Sequence, residues 1–211
     1  MSQFNLFGEL EDTTNENAVK RGLKVIQNGE YYFFPSFFSR PDSDAFFKTL
    51  RDKILWKQES MNMYGKRVNF PRLTSWYGDN NKPYTFSGIT LNPHSWTEEL
   101  ITIKNKIEPQ AGVEFNSVLL NLYRDGNDSI SWHTDAEPEL GKNPVIASVN
   151  FGDTRKFQLR HIESKEKLEI DLTHGSLLIM QGELQHFWQH QVPKTSKKVN
   201  ERINLTFRVI L

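Results

Sequence analysis

From Val113 to the last residue the chain divides into eight short strand-like segments: VEFNSVLLNLY, DSISWHTD, PVIASVNFG, RKFQLRH, KLEIDL, GSLLIMQ, QHFWQHQV and RINLTFRVIL. The pieces between them, RDGN, GKNP, GDT, ESKE, THG and KTSKK, are rich in the residues that turn a chain. Short strands recurring about every 8 to 12 residues make a sandwich or barrel, and a jelly roll, the double-stranded β-helix, accommodates this set best. Upstream the spacing becomes helical. PDSDAFFKTLRDKILW offers Asp42 and Ser43 as caps ahead of Phe46, Phe47, Leu50 and Ile54, while Ser95 and Glu98 form a capping box beside the stripe Trp96, Leu100, Ile103 and Ile107. The predicted class is mainly β with flanking helices.

Residues 1–22 are polar and lack periodicity, so a loosely ordered leader is expected there. No Pro/Gly linker separates the helical part from the β part, and 211 residues is close to the prior of roughly 150 per domain. Residues 23–211 therefore read as one domain, with its jelly-roll core at about 113–211. With 37% hydrophobic and 12% aromatic residues there is ample material for a core. The longest apolar runs, Tyr31 to Phe34 and Leu177 to Met180, are four residues long, far short of the roughly 20 that span a bilayer. MSQFNLFGELED has neither the basic opening nor the apolar stretch of a secretory signal, so an intracellular protein without a membrane partner is expected. The absence of cysteine excludes a disulfide framework, a thiolate zinc site, an iron–sulfur cluster and a cysteine nucleophile. Any metal must sit on His and carboxylate.

His133 and Asp135 in SWHTDAE stand at i and i+2, which on a strand puts both side chains on one face about 7 Å apart. One imidazole and one carboxylate can share a metal, but a third ligand is needed. His161, His174, His186 and His190 are the candidates, and chain order does not choose among them. In the last segment Arg202, Asn204, Thr206 and Arg208 alternate with Ile203, Leu205 and Phe207. If the apolar set packs outward, the arginines point into the roll, where a buried guanidinium demands an anion. Either a structural carboxylate or a small dicarboxylic ligand gripped bidentately would serve. Asn121 and Tyr123 alternate with Leu120 and Leu122 and offer further polar groups to the same interior. Two histidines and one carboxylate leave three coordination positions open, as in non-haem Fe(II) oxygenases.

Five ordered segments, NLYRDGNDSISWHTDAEPELG, PVIASVNFGDTRKFQLRH, HGSLLIMQG, FWQHQVPK and RINLTFR, resemble the AlkB family of alkylation-repair dioxygenases, and the likeness extends over about residues 60–211. The resemblance implies Fe(II), 2-oxoglutarate and dioxygen as the cofactor set. It makes His133, Asp135 and His190 the iron ligands, the last because it precedes Val192-Pro193, and leaves His174 in a turn before Gly175 and His186 at most a support behind the ligands. It also puts Arg202 on the distal carboxylate of 2-oxoglutarate, assisted by Asn121 and Tyr123, with Asn204 beside them and Thr206 and Arg208 toward the other end.

The same likeness extends to a nucleotide-recognition lid at about 60–90. Tyr84 and Phe86 in KPYTFSG would border or stack on a flipped base, and NMYGKRVNFPR would be a hairpin that pushes Tyr64, next to Gly65, into a duplex. Lys66, Arg67, Arg72 and the KTSKK run would hold phosphates, so that a chain of zero net charge (26 basic, 26 acidic residues) binds through one basic rim. This sequence departs from the family in one place. Where members often carry an acidic residue directly after the ligand Asp, it has Ala136 and then Glu137, which would take over the contact with the exocyclic nitrogen.

The implied activity is oxidative removal of N-linked methyl groups from 1-methyladenine and 3-methylcytosine in alkylated DNA, with RNA as a further substrate, releasing formaldehyde, succinate and CO2. Such a protein is expected to act as a monomer, in the cytoplasm of a bacterium or the nucleus of a eukaryote. The rivals are a dioxygenase of the same fold acting on protein or a small molecule, and a binding module that has kept only the fold. The second predicts a broken ligand set, whereas all three ligands and both arginines are present.

Overall fold

A computed structural model of the chain describes residues 22–211 apart from 64, 80–83, 87–88 and 92, with backbone alone for 61–63, 84–86 and 89–91. The eight expected core strands are β8 (Ser117–Tyr123), β9 (Ile130–His133), β10 (Ile146–Gly152), β11 (Arg155–His161), β12 (Lys167–Leu172), β13 (Ser176–Gln181), β14 (Trp188–Val192) and β15 (Arg202–Arg208). They divide between two sheets, one in the order β12-β11-β14-β9, the other containing β13-β10-β15-β8. This is the double-stranded β-helix that the turn spacing predicts.

Three earlier strands widen the second sheet to seven, with β1 (Leu23–Ile26) and β2 (Gly29–Phe34) beyond β13 and β5 (Leu73–Gly78) beyond β8. The apolar run Tyr31–Phe34 is therefore a two-faced strand. Tyr32 and Phe34 pack toward the helices, while Tyr31 and Phe33 pack against the cluster of Phe157, Met180 and Trp188. Two hairpins complete the described strands: β3 (Ser60–Met63) with β4 (Lys66–Asn69), and β6 (Tyr84–Phe86) with β7 (Ile89–Leu91).

Both expected helices form, each with a different cap. Helix α1 spans Arg40–Lys53 and is capped by Ser39, whose hydroxyl accepts from the Asp42 N–H at 3.2 Å. Asp42 and Ser43 instead lie in the first turn, and the Ser43 hydroxyl donates back to the Ser39 carbonyl at 2.8 Å. Helix α2 spans Glu98–Ala111 and is capped by Thr97 rather than Ser95, so the expected capping box does not set its start. Gly112 closes α2 at φ 68°, a left-handed conformation that glycine adopts without a Cβ penalty. Leu50, Leu100, Ile103 and Ile107 bury their stripes against Ile203, Leu205 and Phe207 of β15. The segment read as the strand QHFWQHQV begins as a short helix, α3 (Leu184–Phe187), and becomes β14 only at Trp188. Among the described residues no helix is long and apolar enough to cross a membrane.

Candidate metal and cosubstrate site

Strand β15 has two chemically distinct faces. Ile203, Leu205 and Phe207 are fully buried under the helices, so the period of two turns Arg202, Asn204, Thr206 and Arg208 toward the other sheet. Arg202, Asn204, Arg208, His133, Asp135 and His190 line one cavity between the sheets.

Pairing of β14 with β9 sets His190 directly opposite His133, with ring centroids 4.2 Å apart. Together with Asp135 they offer ligand atoms that all lie within 4.8 Å of one another. His133 Nδ1 faces the Ser131 carbonyl at 2.8 Å and must donate there, so Nε2, 3.8 Å from Asp135 Oδ1, is the atom turned to the site. Burial pushes the His190 pKa down to about 3, with help from His133 and Arg208, so that ring is neutral and able to ligate. For Asp135 burial alone would raise the pKa. The Arg208 guanidinium, His190 and His133 outweigh it and hold the carboxyl below the usual carboxylate range.

Contrary to the i, i+2 strand expectation, Asp135 does not share a strand with His133. Strand β9 ends at His133, so Asp135 lies in the following loop, held by a 2.7 Å hydrogen bond from Arg208 Nη2 to Oδ2 and by its own N–H, which donates to Gln185 Oε1 at 2.9 Å.

The two fates considered for a buried guanidinium are divided between the two arginines. Arg208 takes the structural carboxylate of Asp135. Arg202, 1% exposed, stands 4.9 Å over the Tyr123 ring and gives Nη2 to Asn150 Oδ1 at 2.5 Å, while its Nε and Nη1 are buried with no hydrogen-bond partner among the described residues. Burial lowers the Arg202 pKa to about 10, so it is cationic at neutral pH and lacks an anion among the described residues. Asn204 lies opposite Asn121 and Asn150 on the neighbouring strands, donating to Ser148 Oγ at 2.9 Å and Asn150 Oδ1 at 3.1 Å and accepting from Thr206 Oγ1 at 3.1 Å. Ser148 and Asn150 escape the sequence reading, although they alternate with Val149 and Phe151 just as the β15 polar residues alternate with theirs. Gln185 escapes it too, and no local pattern marks it.

The other histidines lie elsewhere. His161 is fully buried, its ring edge-on to Trp188 and its Nδ1 accepting from the Glu163 and Ser164 N–H groups. His174 precedes Gly175 in a turn as expected, accepting from the Gly152 N–H and facing Asp44. His186 is exposed and contacts Lys142 and Asn143; its neighbour Gln185 reaches the ligand segment in its place.

On the lid side, β3 and β4 form the expected hairpin with Gly65 at its turn at φ 76°, and Lys66 and Arg67 are exposed on β4. Tyr64 lies outside the described residues, as do the side chains of Tyr84 and Phe86 on β6. Arg72 departs from the expected phosphate rim. It is 4% exposed, donates from Nε to Asn121 Oδ1 at 2.7 Å and from Nη1 to the Ser129 carbonyl at 3.3 Å, and so belongs to the polar interior. Glu137 Oε2 is buried without a hydrogen-bond partner among the described residues.

A double-stranded β-helix with two imidazoles and a carboxylate converging beside a buried, anion-seeking arginine defines the class of non-haem iron oxygenases that use a dicarboxylate cosubstrate. The chain belongs to the 2OG-Fe(II) oxygenase superfamily, which it matches over residues 30–208, so its cofactor set is Fe(II), 2-oxoglutarate and dioxygen. It is 44% identical over 187 residues to "Alpha-ketoglutarate-dependent dioxygenase alkB homolog 3" of Bos taurus, covering 83% of this chain and 64% of that protein. The Homo sapiens protein of that name is 43% identical over 188 residues, covering 84% and 65%. "DNA oxidative demethylase ALKBH2" of Homo sapiens is 37% identical over 185 residues, covering 82% and 71%. The match thus spans just under two thirds of the alkB homolog 3 proteins. Among solved structures, that titled "The structure of OsALKBH1" has the same fold, with a TM-score of 0.60 at 16% identity, covering 89% of this chain and 99% of that one.

Proposed function

We propose that this protein oxidatively demethylates N-alkylated nucleobases, 1-methyladenine and 3-methylcytosine, in DNA and also in RNA. The carrying observation is one cavity that holds a neutral His190, an ionised Asp135, His133 and an Arg202 with two unused donors. The substrate class is supported by relatives named as DNA oxidative demethylases.

His133, Asp135 and His190 would hold Fe(II): two nitrogens and one oxygen on one side, with Asp135 Oδ1 buried and lacking a hydrogen-bond partner among the described residues, fit a facial triad. When bound, Fe(II) with 2-oxoglutarate and dioxygen supplies oxidative decarboxylation of the cosubstrate and hydroxylation of an N-methyl group, which leaves as formaldehyde. Arg202 offers Nε and Nη1 to the distal carboxylate, with Asn150 fixing its third nitrogen and the Tyr123 ring backing its plane. Arg208 holds the Asp135 carboxylate ionised and oriented. Asn121, Asn204 and Thr206 keep the polar face between the arginines hydrogen-bonded, and Arg72 anchors Asn121 from behind.

On the substrate side Glu137 supplies an acceptor for the exocyclic amine, a role supported by its buried, unpartnered oxygen. Tyr84 and Phe86 border the flipped base, the Tyr64-Gly65 tip enters the duplex, and Lys66 and Arg67 meet phosphates. Residues 23–211 form one domain in this proposal, supported by the pairing of β5 with β8 and of β2 with β13 across the core boundary at residue 113. The enzyme acts as a monomer inside the cell, where its nucleic-acid substrate is.

The test is formaldehyde release from matched single- and double-stranded DNA carrying 3-methylcytosine, with Fe(II) and ascorbate, with and without 2-oxoglutarate. Cosubstrate-dependent release is expected. No release from either DNA, with 2-oxoglutarate binding intact, would move the substrate to RNA, protein or a small molecule.

A further inference from the structure

Asp135 lies two residues beyond the end of β9, outside the β14–β9 pairing. Its N–H is held instead by Gln185 Oε1 at 2.9 Å, a contact between residues 50 positions apart in the chain. Gln185 is 1% exposed and sits in α3, five residues before His190, so this one hydrogen bond ties the segment that delivers His190 to the backbone of Asp135. The orientation of the amide is determined. An N–H needs an acceptor, so Oε1 must face Asp135, and Nε2 then meets the Met180 sulfur, at 3.8 Å. An amide buried for stability alone would place its donors on strong acceptors, because a thioether is a weak one. Among the described residues the single good hydrogen bond of this amide is the one to Asp135.

We propose that Gln185 is a positioning residue of the metal site, fixing the spacing between the Asp135 carboxylate and the His190 imidazole before metal arrives. This rests on the reading of His133, Asp135 and His190 as the metal ligands. Outer hydrogen-bond partners that orient ligands typically govern about 10–100-fold in metal affinity. Gln185 differs from Arg208 in acting on the backbone of Asp135, so it sets where the carboxylate stands rather than its charge.

The test is titration of the full-length protein with Co(II) alone, followed by the visible absorption of the bound ion, for wild type, His133→Ala, Gln185→Met and Gln185→Glu, with thermal melts of each metal-free protein. Gln185→Met keeps the volume and removes the acceptor, and is expected to weaken Co(II) binding about tenfold. Gln185→Glu keeps an acceptor facing the N–H and is expected to bind as tightly as wild type or more tightly. If Gln185→Met does not fold, Gln185→Asn, which withdraws the amide by one methylene, carries the same expectation. A merely structural glutamine would lower the melting temperature and leave the Co(II) affinity unchanged, and that result overturns the inference, as does Gln185→Glu binding no better than Gln185→Met. If His133→Ala binds Co(II) as well as wild type, the ligand set itself falls and the inference with it, which separates the two failures.

Discussion

Arg208 and Asp135, 73 residues apart in the chain, meet through a 2.7 Å hydrogen bond from Nη2 to Oδ2, with side-chain exposures of 4% and 2%. Taking both charges out of water is costly, and mutual attraction offsets that cost only while both partners are present. Arg208→Ala would therefore leave a buried carboxylate alone and destabilise the metal-free protein by about 3–5 kcal/mol. Urea denaturation of the variant measures this, and a loss under about 1 kcal/mol would mean that the pair is solvated in solution.

His133 is the most exposed of the three proposed ligands, with 24% of its side chain accessible. Its removal leaves Asp135 still paired with Arg208, so His133→Ala is expected to abolish iron-dependent formaldehyde release while circular dichroism and melting temperature stay near those of wild type. Retained turnover would remove His133 from the ligand set.

Arg202→Ala removes the two unused donors without touching a carboxylate of the protein. Hydrogen bonds to charged groups contribute about 1.5–3 kcal/mol, and about 1.4 kcal/mol is a factor of ten, so 2-oxoglutarate affinity should fall by roughly 10–100-fold. Calorimetric titration of the Mn(II)-loaded protein reads this directly. Arg202→Lys should also bind poorly, since a point charge does not reproduce a planar fork.

His190 gives the metal-free protein a pH dependence of known sign. Its pKa falls from 6.5 to about 3 on folding. Between those values the unfolded chain takes up a proton that the folded chain refuses, so stability is fully present above pH 6.5 and is lost as pH falls through that window, at about 1.4 kcal/mol per pH unit. Asp135, depressed from 3.8, adds a loss of the same sign below that pH. Denaturation at pH 7, 6, 5 and 4 should show the slope, and His190→Gln should flatten it between pH 6.5 and 4; an unchanged slope would refute the assignment.

Arg72 and Lys66 should separate in the salt dependence of DNA binding. Removing a side chain that pairs with one phosphate makes the slope of log K against log salt shallower by about 0.7–0.9. Lys66→Ala, on the exposed strand β4, should show that change. Arg72→Gln should leave the slope alone and weaken 2-oxoglutarate binding through Asn121. A shallower slope in Arg72→Gln would restore it to the phosphate rim.

Period-two alternation is written locally, which is why the inward direction of Arg202, Asn204, Thr206 and Arg208 was legible in the sequence once Ile203, Leu205 and Phe207 were taken as the outer face. The eight strands, the helical stripes and the family followed from the same local patterns and from ordered segments. Three matters needed the tertiary structure. The pairing of β14 with β9 brings His190, and none of the other histidines, against His133. Which buried arginine is neutralised by the protein depends on where the loop after β9 carries Asp135, and that loop answers to Arg208 and Gln185 from distant strands and turns. Arg72, read as surface because it lies in a basic stretch, is drawn inside by Asn121, 49 residues away. In each case the deciding hydrogen bond or strand pairing joins residues far apart in the chain, and no local window contains both partners.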